Sequence, residues 1–213
     1  GDLNGDGVID LAVGAPNQSP SDTGAVWILF MNVDGSVSSA QRIGPGDGDG
    51  GLAADLDGGD EFGISLTNIG DYDADGTVDI AVGVSGDDDG GAGRGAVYLL
   101  SLDTDGTVKT TRKISATSGE LVGPLEYGGL FGFSVTALQT RSTAAKPVLA
   151  VGAYQAGSDD GVVWVLNLDG DCVACGNGIL EDGEECDDGD APGGCASDCQ
   201  PSCGDGIVQA GEE

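Results

Sequence analysis

The chain has 213 residues, with 37 Asp and Glu against 7 Lys and Arg and no His, a formal charge of −30 at neutral pH. That balance excludes nucleic acid, whose recognition needs a basic footprint, and it disfavours anionic membrane surfaces. The absence of His removes the commonest general base and any His-containing zinc site or hydrolase triad, and no apolar run approaches the roughly 18 residues of a membrane span.

The first element is an acidic loop, Asp2-Leu3-Asn4-Gly5-Asp6-Gly7-Val8-Ile9-Asp10, which runs directly into an apolar strand, Leu11-Ala12-Val13-Gly14. Oxygen side chains at loop positions 1, 3, 5 and 9 (Asp2, Asn4, Asp6 and Asp10), with Gly at position 6, suit a small hard cation. Ca²⁺ takes about 6–8 oxygens, and the turn at the glycine lets a backbone carbonyl at position 7, here that of Val8, join them. An EF-hand fits poorly, because position 12 is Val13 rather than Glu and a strand follows instead of a helix. A second strand, Gly24 to Leu29, leads to Asp34-Gly35, a tight-hairpin signal between strand formers. Ser36 to Ile43 then alternate apolar and polar as an outer strand. The Gly-rich connection carrying Asp47, Asp49, Asp55, Asp57 and Asp60 reads as a solvated charged loop that discourages edge pairing. A second cation, or the basic patch of a partner, is the sharper alternative.

From Phe62 onward the chain repeats itself at a spacing of 69 residues. Phe62-Gly63-Ile64-Ser65 returns as Phe131-Gly132-Phe133-Ser134, and Leu11-Ala12-Val13-Gly14 returns as Ile80-Ala81-Val82-Gly83 and Leu149-Ala150-Val151-Gly152. A second acidic loop, Asp71 to Asp79, repeats the ligand pattern with Asp71, Asp73, Asp75 and Asp79, and Thr77 at position 7. It carries four carboxylates where the first loop has three and an amide, which favours tighter cation binding. Asp87-Asp88-Asp89 read as another solvated loop. The elements Gly95 to Leu100, Asp105-Gly106 and Thr107 to Ile114 repeat the earlier strand, hairpin and outer strand. The third unit repeats the strand as Gly161 to Leu166 and closes on Asp169-Gly170. Shifting the second loop by one period lands on Thr140, Ser142, Ala144 and Val148, so this unit keeps the blade pattern without a cation site. Trp27, Tyr98 and Trp164 occupy equivalent strand positions, which points to packing rather than carbohydrate stacking.

Each full unit is thus four short strands, the first holding Phe-Gly-x-Ser, with the acidic loop joining the first to the second and no amphipathic helical period. Such units at a fixed period predict an all-β fold, a partial β-propeller of four-stranded antiparallel blades over residues 1–170. A β-sandwich is the weaker rival, since sandwiches rarely repeat so regularly. Phe-Gly-x-Ser, the D-x-N-x-D-G-x-x-D loop and Asp10 to Pro16 resemble the FG-GAP repeat of integrin α chains and of many bacterial surface proteins. The resemblance implies seven-bladed relatives and Ca²⁺ held on one rim of each blade. Two blades here are complete or nearly so, one lacks its first strand, and the third unit lacks a recognisable fourth strand. These are too few to close a ring of four to eight blades.

All six Cys fall between positions 172 and 203. They predict a small disulfide-rich module over residues 171–213 and an oxidising, extracytoplasmic compartment. Six cysteines permit about 15 connectivities. Zinc, suggested by Cys172-x-x-Cys175 and Cys195-x3-Cys199, is the disfavoured alternative. Cys175-Gly-Asn-Gly to Cys186, echoed from Cys203-Gly-Asp-Gly, resembles the myxobacterial-type Cys-rich repeat. That resemblance implies two disulfides among Cys175, Cys186, Cys195 and Cys199, with Cys172 and Cys203 joined to each other or left by truncation. Asn177, Glu184, Asp187 and Asp188 are candidates for a further Ca²⁺ in this module.

The chain reads as part of a longer secreted or cell-surface protein, with the remaining propeller blades upstream. The expected function is a non-enzymatic, calcium-binding adhesion or binding module for a protein or glycan ligand, with no nucleic acid partner and no membrane insertion. The alternative is an accessory, substrate- or surface-binding propeller domain of a larger secreted enzyme. No Gly-x-Ser-x-Gly or Ser-x-x-Lys string and no paired acids of contrasting environment support an enzyme directly.

Overall fold

The computed structural model describes residues 1–18, 22–45, 52, 56–119, 121, 124–138, 147–157 and 160–168. The Cys-rich segment, Asp169-Gly170 and positions 140–144 lie outside the described residues. Among the described residues there is no helix, and the ten strands form three antiparallel sheets. The first sheet is β1 (Leu11–Ala15), β2 (Ala25–Met31) and β3 (Val37–Ile43), paired in that order. The second has four strands, β4 (Ser65–Gly70), β5 (Asp79–Val84), β6 (Ala96–Leu102) and β7 (Val108–Ile114). The third pairs β8 (Phe131–Leu138), β9 (Val148–Ala153) and β10 (Val162–Asn167), with β9 in the middle. The all-β fold of partial propeller blades is therefore observed. The second blade is complete, and the first lacks its innermost strand among the described residues. The register confirms the repeat, with Val13 opposite Trp27, Val82 opposite Tyr98 and Val151 opposite Trp164.

The middle blade shows why its inner strands are mostly apolar on both faces. Side chains along a strand alternate between its two faces. Ile80, Val82, Val84, Tyr98, Leu100 and Leu102 share one core with Val26, Ile28 and Phe30 of the first blade. Ala81, Val97 and Leu99 share the other core with Val135, Leu149 and Val151 of the third. Both faces of β5 and β6 are buried, so these strands do not alternate apolar with polar, and their few polar residues, Asp79 and Ser101, are buried too. Burial of each Val or Leu contributes about 1.5–3 kcal/mol. The outer strands β3 and β7 instead face solvent through most of their length and end on a buried isoleucine, Ile43 and Ile114, rather than alternating as expected. Their hairpins turn at Gly35 and Gly106, both at left-handed φ, and a register shift follows on β2 and β6. This is a turn with a bulge of the kind a lone left-handed glycine produces.

Neighbouring blades are joined by the Phe-Gly dipeptides. Phe62 and Phe131 are fully buried. The Phe62 amide donates to the Thr23 carbonyl at 2.9 Å, and the Phe131 amide to the Arg94 carbonyl at 3.0 Å. Each phenylalanine thereby forms a parallel bridge, to Gly24 and to Gly95 of the preceding blade. Its ring stands edge-on to an aromatic of its own blade, Phe62 to Tyr98 at 6.0 Å and Phe131 to Trp164 at 6.1 Å. A Cβ on Gly14 or Gly83 would overlap the carbonyl oxygen of Gly63 or Gly132, so backbone meets backbone at each joint. One expectation needs correcting here. Phe-Gly-x-Ser was expected within the first strand, but in the second blade β4 begins only at Ser65. The left-handed φ of Gly63 (92°) turns Phe62 out of the sheet toward the preceding blade. In the third blade the same turn, at Gly132 (φ 89°), appears as a bulge between Phe131 and Ser134 of β8.

Candidate metal centre

The second acidic loop connects β4 to β5, as the repeat predicts, and is folded by its own carboxylates. Asp71 accepts the amides of Asp75 and Gly76, both at 2.9 Å, and Asp75 accepts that of Thr77 at 2.7 Å. Left-handed Ala74 and Gly76 let the chain coil around these acceptors. Asp79, fully buried at the start of β5, ties the loop to the sheet. One of its oxygens accepts the Tyr72 amide at 2.7 Å and the other the Leu102 amide at 2.9 Å, at the far end of β6. Burial pushes the Asp79 carboxyl above its ordinary range, against these hydrogen bonds.

Asp71, Asp73 and Asp79 each bring a carboxylate oxygen within 4.8 Å of the other two. Three converging carboxylates with this spacing form an anionic cradle suited to a hard cation. Asp75 does not join them. Its second oxygen is taken by the Lys109 ammonium reaching across from β7, which also lies 3.6 Å from Asp73. The hydrogen bond from Lys109 lowers the Asp75 carboxyl to about 2. Thr77 is buried, next to the loop's glycine, with its amide held by Asp75.

The first loop uses the same clamp. Asp10 is buried and accepts the Leu3 amide at 2.9 Å and the Met31 amide at 3.0 Å, as Asp79 does with Tyr72 and Leu102. Asp2 accepts the Gly7 amide at 2.9 Å, and Asp6 accepts that of Val8 at 2.8 Å. Asn4 bonds to Asp6 through both its amide nitrogen and its oxygen. Asp2, Asp6 and Asp10 do not converge as the second loop's acids do, and Asn4 takes the fourth place. However, Asp2 Oδ1 is buried without a hydrogen-bond partner, an acceptor left open on the inner side of the loop. In the third unit Val148 opens β9 and stands where Asp79 opens β5, without a carboxylate to make that clamp.

The acids outside the loops correct a second expectation. Asp60 and Asp87 are not solvated but buried, at the opposite end of β5 from the acidic loop, whereas Asp57 and Asp88 are exposed as expected and Asp47, Asp49 and Asp55 lie outside the described residues. The Lys113 ammonium lies 2.7 Å from both Asp87 and Asp89, and 5.5 Å over the Tyr98 ring. Asp60 accepts the Asp57 amide at 2.7 Å, and burial pushes its carboxyl up to about 6. Burial raises Asp87 as well, whereas the Lys113 hydrogen bond lowers Asp89. Asp87 and Asp89 are thus paired by the chain's own lysine. Neither Lys109 nor Lys113 was singled out from the sequence. Their signal was scarcity, since the chain has only 7 basic residues and two of them lie four apart on one strand.

Comparison with known proteins follows the same lines. The FG-GAP repeat family matches residues 1–29. Integrin alpha-PS2 of Drosophila melanogaster is 32% identical over 162 residues, covering 72% of this chain and 11% of that protein. Integrin alpha-3 of Mus musculus is 32% identical over 154 residues, covering 71% of the chain and 13% of that protein. Integrin alpha-6 of Gallus gallus is 30% identical over 154 residues, with 71% and 12% covered. The chain therefore spans only about a tenth of the length of these relatives.

Proposed function

Because this chain is an FG-GAP repeat protein of the integrin α type, we propose that it is a non-enzymatic binding module of a secreted or cell-surface protein, adhesive in role and braced by Ca²⁺. The observation that carries this reading is the convergence of Asp71, Asp73 and Asp79 at the junction of β4 and β5. Asp71, Asp73, Asp75 and Asp79, with the backbone of Thr77, would hold one ion. Asp2, Asn4, Asp6 and Asp10, with the backbone of Val8, would hold another. A bound Ca²⁺ supplies charge neutralisation and oxygen coordination to a loop that otherwise holds several like charges together. The residues do the rest. Asp10 and Asp79 pin each loop to the third strand of its blade, so a rigid loop is offered on the rim. Propeller loops of this kind display binding surfaces for a protein or glycan ligand. The absence of His and of any nucleophile motif supports a module that binds rather than reacts.

Thermal unfolding with and without a chelator tests the reading. At a Ca²⁺ concentration of 100 times Kd, binding stabilises the fold by about 2.7 kcal/mol. The expected result is a midpoint several degrees higher in Ca²⁺, with Asp73→Ala losing one bound ion by elemental analysis. An unchanged midpoint with no ion retained after dialysis would overturn it.

A further inference from the structure

The two acidic loops align residue for residue, and among their acid and amide side chains they differ at one position. Asp73, a member of the converging set in the second loop, is replaced by Asn4 in the first. The residue that follows differs too, Gly5 standing where the second loop has Ala74. An asparagine before a glycine is open to attack by the next backbone nitrogen, because no Cβ screens that nitrogen and the chain bends freely there. Asn4 and Gly5 are both exposed, and among the described residues the Gly5 amide donates no hydrogen bond. Asn4 Oδ1 accepts the Asp6 amide at 3.0 Å, and Asn4 Nδ2 donates to the Asp6 carboxylate at 3.1 Å. A donor on Oδ1 stabilises the charge that grows there when Cγ is attacked. The carboxylate meanwhile holds the nitrogen that has to leave.

The other described asparagines precede residues with larger side chains: Asn17 precedes Gln18, Asn32 Val33, Asn68 Ile69 and Asn167 Leu168. Asn32 is exposed as Asn4 is, so it separates the effect of the glycine from that of exposure. Asn177-Gly178 lies outside the described residues. We infer that Asn4 is a site of spontaneous deamidation, which gives the first loop the carboxylate it lacks relative to the second. The Gly5 nitrogen bonds to Asn4 Cγ, the Cγ–Nδ2 bond breaks, and ammonia leaves with the Gly5 amide proton. Water then opens the cyclic imide. Addition at Cγ gives aspartate, and the loop acquires the acids of Asp71, Asp73, Asp75 and Asp79. Addition at the backbone carbonyl gives the isomer whose main chain runs through the side chain, with the same charge on a longer loop. The modification stands apart from the cation reading, whereas its effect on affinity rests on that reading.

The test incubates the full chain with chelator at mildly alkaline pH and maps the tryptic peptide 1–42, which holds Asn4, Asn17 and Asn32 together. The expected result is an amide-to-acid mass gain that fragment ions place at Asn4, at least tenfold faster than at Asn17 or Asn32. Gly5→Ala should slow it at least tenfold. That variant keeps the fold, since a Cβ on Gly5 meets nothing within 4 Å and Ala74 already takes a left-handed φ of 63° at the equivalent place. No gain at Asn4, an equal gain at Asn32 or an unchanged rate in Gly5→Ala would each overturn the inference. Asn4→Asp, the aspartate product made directly, should bind Ca²⁺ severalfold more tightly than the freshly prepared parent, with Asp73→Ala in both proteins to silence the second loop. Equal affinity by calorimetric titration would overturn the effect on the loop. Absence of binding by both would count against the Ca²⁺ reading, and the mass gain would still decide the modification.

Discussion

Strand β7 ends on two different rims, and each end delivers a lysine to a group of aspartates. Lys109 meets Asp73 and Asp75 in an exposed loop, with about a third of its side chain open to water. Lys113 meets Asp87 and Asp89 where only 14% of its own side chain and 2% of Asp87 are exposed. Four residues apart on a strand, the two lysines share a face. The difference between them is solvation. A part-exposed, screened ammonium is one that a divalent cation proposed for the same oxygens would have to displace. A buried one cannot leave without stranding a carboxylate. One acidic cluster is thereby left exchangeable and the other is filled permanently by the protein itself.

Breaking the buried end should have the largest effect. Lys113→Met leaves Asp87 buried without its cation and should cost about 3–5 kcal/mol, read as a lower urea midpoint that partly recovers on acidification. Retention of wild-type stability would mean that the buried pair is not structural. Next comes Asp60→Asn on the same rim. The folded pKa of about 6 lies above the ordinary 3.8, so the folded form binds the proton more tightly. Stability from Asp60 therefore grows as pH falls from about 6 to 3.8 and is absent at neutrality. Asn, which mimics the neutral acid, should stabilise the chain by on the order of 1 kcal/mol at pH 7 and by nothing near pH 4. A mutant less stable than the parent at pH 7 would contradict this. The smallest effect belongs to the exposed end. Lys109→Gln should raise divalent-cation affinity of the second loop severalfold at low salt, measured by calorimetric titration, with the gain shrinking as salt rises. Unchanged or weaker affinity would show that the lysine assists the loop rather than competing with it.

The blade architecture was legible because Phe-Gly-x-Ser, the acidic loop and the strand after it recur at one exact spacing. The 69-residue spacing carries strand identity, loop position and the lost third loop together. The clamp role of Asp10 and Asp79 was half visible. Position 9 was recognised as an oxygen donor, but its hold on Met31 and Leu102 joins residues more than twenty apart and depends on strand pairing. Lys109 meets Asp75 across 34 residues. Asp60 and Asp87 differ from the solvated reading of their loops because charge-rich, glycine-rich strings resemble surface loops whether or not a distant lysine and strand close over them. Burial from a neighbour leaves no local trace in sequence.

The joint between blades has a consequence for how such chains change over evolutionary time. Its specificity rests on two glycines and a phenylalanine that are the same at both boundaries, Gly14, Gly24 and Phe62 at one and Gly83, Gly95 and Phe131 at the other. Gly14 accepts Gly63 as Gly83 accepts Gly132. The backbone contact at one boundary is therefore built the same way as at the other. Whole units can be duplicated, deleted or shuffled between genes without inventing a new surface. Within a unit, by contrast, a single methyl group at the joint is forbidden. The propeller is thus tolerant of gaining or losing a blade, and intolerant of the smallest side chain where two blades meet.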